Sequence, residues 1–157
     1  MIPPITIAFD TTSGGFAFAV LQGRETLLDW ACSQAIKTKP DAWRGRVEKL
    51  FARYEPDLIV LPDVEDSHRG KWAKQFMSEI ASLAKAHGID VRLVSRHDVQ
   101  KKFSISGSTK YEIAVAVSRV FPELAPRLPR QRKPWMSEDR RMGIFDAMSF
   151  ALTELSQ

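Results

Sequence analysis

The spacing of hydrophobic residues along this chain changes once, from every second residue to the spacing of a helix face. Residues 5–11 alternate between large apolar side chains and small or polar ones, and a turn containing Gly14 and Gly15 follows. Two further apolar runs occupy residues 16–21 and 26–34. Alternation with period two is typical of strands, and glycine permits the positive φ of a tight turn. The pattern predicts a hairpin that continues into a three-stranded meander.

The rest of the chain alternates between helical patterns and short apolar runs. The predicted helices are 41–54, 69–87, 109–121 and a last helix capped by Ser137, and the predicted strands are 58–61 and 91–94. Asp41 is the expected N-cap of the first helix, because its side chain can accept from a free backbone N–H. Gly88 is the expected end of the second helix.

Three strands followed by alternating helices and strands are typical of an α/β domain. This order predicts a mixed five-stranded sheet, with its first three strands as a meander and helices on both faces. A chain of 157 residues can bury one substantial core. We therefore expect a single domain spanning residues 1–157.

The composition is that of a globular protein, with 44% hydrophobic and 27% charged residues. The 23 basic residues exceed the 19 acidic ones, and the resulting net charge of +4 favours a polyanionic partner only slightly. Cys32 is the only cysteine, so an internal disulfide is excluded, and we expect a buried strand residue. The first residues lack the pattern of a signal peptide or a membrane span, which favours a cytoplasmic protein.

Acidic residues occupy the ends of two predicted strands and the last helix. Asp10 closes the first strand, whereas Asp63, Glu65 and Asp66 follow the strand 58–61. A turn residue would explain Asp10, and a solvated loop would explain the other three. Asp146 is harder to explain in this way, because a charge within an apolar helical stretch is costly unless it is paired or binds a metal.

A further acid precedes Asp146 on the predicted last helix. Asp139 lies seven residues earlier, which predicts a position two turns away on the same face. Asp139 and Glu138 also suit a helix N-terminus, where the helix dipole favours negative charge. Hard cations such as Mg²⁺ prefer oxygen ligands, and two ions can clamp a phosphodiester. Acids from two strand ends and one helix therefore predict a metal-dependent phosphodiester site.

Several segments resemble the RuvC family of Holliday-junction resolvases, which have a ribonuclease H-like fold. The opening hairpin is similar in ITIAFDTTSGGFAFAV, and the final helix in FDAMSFALT. The most specific match is RHDVQKKFSISGSTKYEIAVAV, with a loop at Gly107 and Lys110 opening a helix. The segment from Lys133 to Ala147 is similar to the ending of an uncharacterised RuvC-like subgroup. The resemblance covers most of the chain.

The resemblance implies that Asp10 and Asp146 are metal ligands. The segment EPDLIVL resembles the run that leads into the family's catalytic Glu, but Pro62 occupies the position of that Glu here. Asp63 follows one residue later and is the expected replacement, with Glu65 in reserve.

A second family acid is also absent. The family has an Asp three residues before the position of Asp146, and this chain has Gly143 there. Asp139 is the expected substitute, with Glu138 in reserve. At about 1.5 Å of rise per helical residue, Asp139 would lie roughly 10 Å along the axis from Asp146.

Basic residues form two groups with candidate nucleic-acid contacts. The resemblance implies that Lys110 supports cleavage, whereas Lys101 and Lys102 are either phosphate contacts or solvated side chains. Residues 122–136 predict an extended, proline-rich basic loop. Its Trp135 suits base stacking, or else pins the loop into the core. The cations of this loop are Arg127, Arg130, Arg132 and Lys133.

These features predict a metal-dependent, structure-specific endonuclease that acts on branched DNA with two Mg²⁺ or Mn²⁺ ions. One alternative is a RuvC-like protein that binds structured nucleic acid without cutting it, and another is a compact RNA-processing nuclease of the same fold. The resemblance implies a homodimer, for which Trp72 and Phe76 offer a candidate face, although core packing is the favoured interpretation of both. We expect neither a membrane partner nor a nucleotide cofactor. Actin-like ATPases share a similar opening hairpin but need two such domains.

Overall fold

The computed structural model describes residues 2–34, 39–64, 70–104 and 109–156. The strands are β1 (Ile5–Thr11), β2 (Phe16–Gln22), β3 (Thr26–Ser33), β4 (Leu58–Pro62) and β5 (Asp90–Val94). The α-helices are α1 (Pro40–Tyr54), α2 (Lys71–Ala86), α3 (Arg96–Lys102), α4 (Lys110–Val120) and α5 (Met142–Leu155), and a 3-10 helix spans Pro122–Arg127. The predicted order of strands and helices is confirmed, with α3 and the 3-10 helix as additions.

The five strands form one mixed sheet in the order β3-β2-β1-β4-β5. The first three strands pair antiparallel as a meander, whereas β4 pairs parallel to β1 and β5 parallel to β4. The predicted sheet is therefore confirmed. Because β1 and β4 are parallel neighbours, their carboxyl ends meet at the same edge of the sheet.

Successive side chains of β1 point to opposite faces of the sheet, and each face has its own core. Ile7 and Phe9 pack with α1 and α2, whereas Ala8 packs with α4 and α5. Phe76 of α2 is fully buried, and the half-buried Trp72 packs against the same core. Core packing is thus confirmed as the use of these two aromatic residues.

Helix α5 lies between the sheet and α4, and contacts both. Every residue from Met142 to Ala151 is buried. A helix that is apolar on all sides is suited to such a central position. Asp146 is the one charged residue in this buried stretch.

The predicted start of the last helix at Ser137 is wrong, since α5 begins at Met142 with Arg141 as its N-cap. The side chain of Asp139 accepts from the backbone N–H of Arg141 at 2.8 Å. A side chain that bonds two residues ahead stabilises a turn in competition with a helix. Asp139 therefore lies in a turn before α5, and its predicted place on the helix face of Asp146 is also wrong.

Two other local predictions need correction. Lys39 is the N-cap of α1, and Pro40 takes the first helical position, so Asp41 lies inside the first turn. Residues 122–127 form a 3-10 helix anchored by the buried Leu124, where an extended loop was expected. Gly88, with φ of 70°, follows the end of α2 as predicted.

Candidate active site

Asp10 occupies the carboxyl end of β1, at the centre of the sheet. The alternation of the strand places its side chain on the same face as Ala8, towards α5. The residue is 1% exposed, and its Oδ1 accepts from the backbone N–H of Thr11 at 2.8 Å. The strand ladder pairs Asp10 with Ala17 of β2.

The start of α5 rests against this hairpin through Gly143. A Cβ added at Gly143 would lie 2.9 Å from the Cβ of Ala17 and 2.8 Å from the Cγ2 of Thr12. Because residues three apart share a helix face, the same contact turns Asp146 towards Asp10. The glycine therefore allows the approach that brings the two carboxylates together, and it leaves no room for an acid at its own position.

Asp146 is 4% exposed, and both positive and negative side chains surround its carboxyl. Burial raises the pKa of its carboxyl to about 6, and the negative charges of Asp10 and Glu138 act in the same direction. Lys110 and Arg96 oppose this increase. The net upward shift shows that desolvation and like-charge repulsion outweigh the two cations.

Lys110 connects Asp146 to the turn that precedes α5. Its Nζ lies 3.1 Å from Oδ2 of Asp146 and 3.1 Å from Oε1 of Glu138. Burial opposes the charge of Lys110, but the two carboxylates together raise the pKa of its ammonium. Thr109 positions the lysine, because it caps α4 by accepting from the backbone N–H of Glu112 at 3.1 Å.

Arg96 is a site residue that the sequence analysis missed. Its Nη1 lies 3.8 Å from Oδ1 of Asp146, and that buried atom has no hydrogen-bond partner among the described residues. Arg96 opens the unpredicted helix α3, which Ser95 caps by accepting from the N–H of Asp98 at 3.1 Å. A Ser followed three residues later by an acid is a helix-start signal that could have revealed it.

The carboxyl end of β4 reaches the same edge of the sheet. Alternation places Pro62 on the face of Val60, towards α5, so the buried proline stands on the side of Asp10. Asp63 follows the strand, is half-buried, and donates its backbone N–H to the carbonyl of Val94 at 2.8 Å. Glu65, the reserve ligand, lies outside the described residues together with Asp66 and Gly107.

Asp139 is bound to Arg141 through both carboxylate oxygens. The guanidinium donates to Oδ1 at 3.1 Å and to Oδ2 at 2.8 Å. These hydrogen bonds lower the pKa of Asp139. The carboxylate of Asp139 therefore stabilises the turn before α5.

A divalent cation has two suitable oxygen donors here, the carboxylates of Asp10 and Asp146. Over residues 2–34, 39–64, 70–104 and 109–156, no three His, Cys, Asp or Glu side chains group around one point as metal ligands. The expected trio with Asp63 is thus not assembled in these ranges.

The predicted basic residues lie on the surface, and Lys102 lines a groove with Leu152 and Ser156 at the far end of α5 from Asp146. Lys101 and Lys102 are exposed at the end of α3. Trp135 is 78% exposed, so the alternative in which it pins its loop into the core is wrong. The four cations of that loop are exposed as well, namely Arg127, Arg130, Arg132 and Lys133.

The central β1, the parallel β4 and the carboxylates at their shared edge define a ribonuclease H-like α/β fold. Within that class the chain has the fold of RuvC. It superposes on Thermus thermophilus RuvC solved in complex with a Holliday junction substrate, with a TM-score of 0.63 and 17% identity over 95% of this chain and 91% of that chain. A second Thermus thermophilus RuvC structure gives a TM-score of 0.62 and 17% identity over 95% and 92% of the two chains.

No protein-family model matches the sequence, and no curated protein is detectably similar to it. None of the helices in the described part of the chain is both long and apolar enough to cross a membrane.

Proposed function

We propose that this protein is a divalent-metal-dependent endonuclease that cuts phosphodiester bonds in branched DNA. The observation that carries the proposal is the buried pair of Asp10 and Asp146, which face each other at the edge of a RuvC-like sheet. Two acids in a core work against folding, and the pKa of Asp146 rises to about 6 as a result. Strongly shifted carboxyls of this kind concentrate at functional sites.

The residues around the pair suit a phosphate substrate. Asp10 and Asp146 would hold a Mg²⁺ or Mn²⁺ ion, which when bound supplies Lewis-acid polarisation of the phosphate and lowers the pKa of the attacking water. Arg96 offers a buried N–H without a hydrogen-bond partner among the described residues, suited to a phosphate oxygen. Lys110 can release Glu138 and face the charge that develops on the phosphate.

The exposed cations beyond the pair would hold the nucleic-acid backbone. Lys101 and Lys102 extend from α3, and the loop with Trp135 lies beyond α4. Such contacts position a substrate without reading its sequence. Because a four-way junction has two-fold symmetry, a homodimer would place two sites on it. That dimer stays a prediction, which a mass measurement in solution would check.

The test is a nicking assay on a labelled four-way junction with Mg²⁺ or Mn²⁺. We expect Asp10→Asn and Asp146→Asn each to reduce the rate at least about 100-fold, since charge stabilisation dominates such reactions. Asp90→Asn is the matched control, because Asp90 is an exposed acid at the start of β5. Metal-dependent nicking that persists in both site variants would contradict the assignment.

The second candidate function is binding of branched DNA without cleavage. Two specific observations favour it, namely Pro62 on the site face of β4 and the occluded position of Gly143. Both positions hold acids in the RuvC family that the sequence resembles. Junction binding in a gel-shift assay with no product under either metal would select this function, and the compact RNA nuclease would be recognised by cleavage of structured RNA alone.

A further inference from the structure

We propose that Trp135 is a stacking platform for an unpaired base at the branch point of bound DNA. The inference rests on the proposed binding of branched DNA, and it holds whether or not that DNA is cut. The inference gives this loop a contact with a base, in addition to the phosphate contacts that its cations provide. We call residues 128–137 the tryptophan loop.

The exposure of Trp135 is the first observation. The side chain is 78% exposed, whereas Trp43 is fully buried and both Trp30 and Trp72 are half-buried. The Nζ of Lys133 lies 5.4 Å from the ring centroid, over the ring. An exposed indole beside a cation offers a π face for a base and a charge for the phosphate that follows it.

The backbone holds this indole in a defined turn. The N–H of Met136 donates to the carbonyl of Lys133 at 2.9 Å, and Nη1 of Arg132 donates to the carbonyl of Met136 at 3.2 Å. Pro129 and Pro134 restrict the loop further. A loop that is ordered before binding loses less entropy on contact, so its aromatic residue contributes more to affinity.

The position of the loop places it next to the candidate active site. A cavity of about 480 Å³ separates the loop from the start of α4, and Lys110, Tyr111 and Met136 help to line it. Lys110 also contacts Asp146 at 3.1 Å. The cavity therefore lies between the loop and the lysine that contacts Asp146. Trp135 is outside its lining, next to Met136, and Glu138 and Asp139 also line it.

Charge selects the partner. The tryptophan loop contains three cations and no acid, which suits a phosphate backbone. Inside a duplex both faces of each base are already stacked, so an indole gains a base only where stacking is interrupted. The branch point of a junction is such a place, and the stacking contact should be confined to it.

The experiment titrates a four-way junction with the full-length protein in the absence of divalent metal. The junction carries 2-aminopurine either at the branch point or inside one arm. We expect a fluorescence change at the branch point only, and Trp135→Ala should abolish it while weakening junction binding about 10-fold, within a range of roughly 5- to 100-fold. Trp135→Phe should retain most of both signals, because phenylalanine can still stack.

A matched control separates stacking from general loss of apolar surface. Leu93 is 57% exposed on β5, and Leu93→Ala should bind like the unmodified protein. The salt dependence of binding should not change in Trp135→Ala, since the phosphate contacts remain. Equal affinity and equal fluorescence in Trp135→Ala would overturn the inference, and so would an equal loss of affinity for plain duplex. Failure of the unmodified protein to bind any junction would overturn this inference and the proposed function together.

Discussion

At the scale of single residues, the main feature is a pair of buried acids that two cations only partly neutralise. Lys110 and Arg96 both lie within 4 Å of Asp146, yet burial still raises the pKa of that carboxyl to about 6. The ionised form is therefore the costly one in the folded, metal-free protein. The same carboxylate must be ionised to bind a cation, which ties metal affinity to pH.

This shift predicts how stability depends on pH. The folded-state pKa of Asp146 lies above its unfolded value of 3.8, so the folded protein binds more protons between these values. The contribution of Asp146 is thus most favourable below about pH 4 and is lost as pH rises through about 6. We expect the free energy of unfolding of the native protein, relative to Asp146→Asn, to fall by about 1–3 kcal/mol across this window.

Urea denaturation from pH 4 to 8 with a chelator present measures this difference. The variant Asp90→Asn removes an exposed acid and should follow the native protein across the window. A difference between the native protein and Asp146→Asn that rises with pH would contradict the assigned direction of the shift.

At the scale of elements, the contact between α5 and the first hairpin determines the site. Gly143 lets α5 approach β2 closely, and a Cβ there would be 2.9 Å from that of Ala17. Contacts this short force backbone shifts or strained rotamers. The position therefore cannot regain an acid by substitution alone.

We expect Gly143→Ala to destabilise the fold by about 1–3 kcal/mol, because the new methyl group overpacks the contact. Gly45 of α1 is the matched control, since a Cβ there would meet nothing within 4 Å. Gly45→Ala should instead stabilise the protein by up to about 1 kcal/mol through helix propensity. Denaturant unfolding measures both changes.

A double-mutant cycle then tests the cause. Removing the opposing methyl group with Ala17→Gly should reduce the cost of Gly143→Ala. Stability of Gly143→Ala equal to that of the native protein would show that the close approach is not limiting. A cost independent of Ala17 would assign the clash to the methyl group of Thr12, 2.8 Å from the added Cβ.

The start of α4 gives a separate prediction. The hydroxyl of Thr109 accepts from the N–H of Glu112 at 3.1 Å, and donates to its carboxylate at 2.8 Å. Thr109→Ala removes this cap and should cost about 0.5–2 kcal/mol of unfolding free energy. Thr109→Ser keeps the hydroxyl, so thermal unfolding should place it near the native protein. A loss shared by both variants would point to the threonine methyl group instead.

The elements differ in how far the sequence determines them. The hairpin with Asp10 was predictable, because strand alternation and the glycine turn are local signals. The start of α5 was not, since the side chain of Asp139 bonds to its own backbone and delays the helix. The pairing of Asp146 with Lys110 needs the tertiary contact at Gly143, which no spacing encodes. Trp135 lies in a segment without a periodic pattern of hydrophobic residues, so its exposure was not predictable from the sequence.

At the scale of the whole molecule, only one face of the sheet carries the candidate site and is expected to meet nucleic acid. Helices α1 and α2 cover one face, whereas α4 and α5 pack on the other face, with the tryptophan loop beside the start of α4. The net charge of +4 is modest, so the placement of cations should matter more than their number.

Salt dependence of junction binding tests this placement. Neutralising Arg130, Arg132 and Lys133 together with glutamine should reduce the slope of log K against log salt by up to about 3. The matched control neutralises three exposed lysines of α1 and α2, Lys49, Lys74 and Lys85, and should leave the slope nearly unchanged. Equal reductions in both triple variants would indicate that binding follows net charge rather than the loop.

The enclosure of α5 also sets how long the site persists. Burial is continuous from Met142 to Ala151, so this helix cannot detach while the layers on either side stay folded. Its backbone amides should therefore exchange with solvent only when the entire domain opens. The lifetime of the carboxylate pair is then the lifetime of the fold itself, and any adjustment to the proposed nucleic-acid substrate is left to the loops at the edge of the sheet.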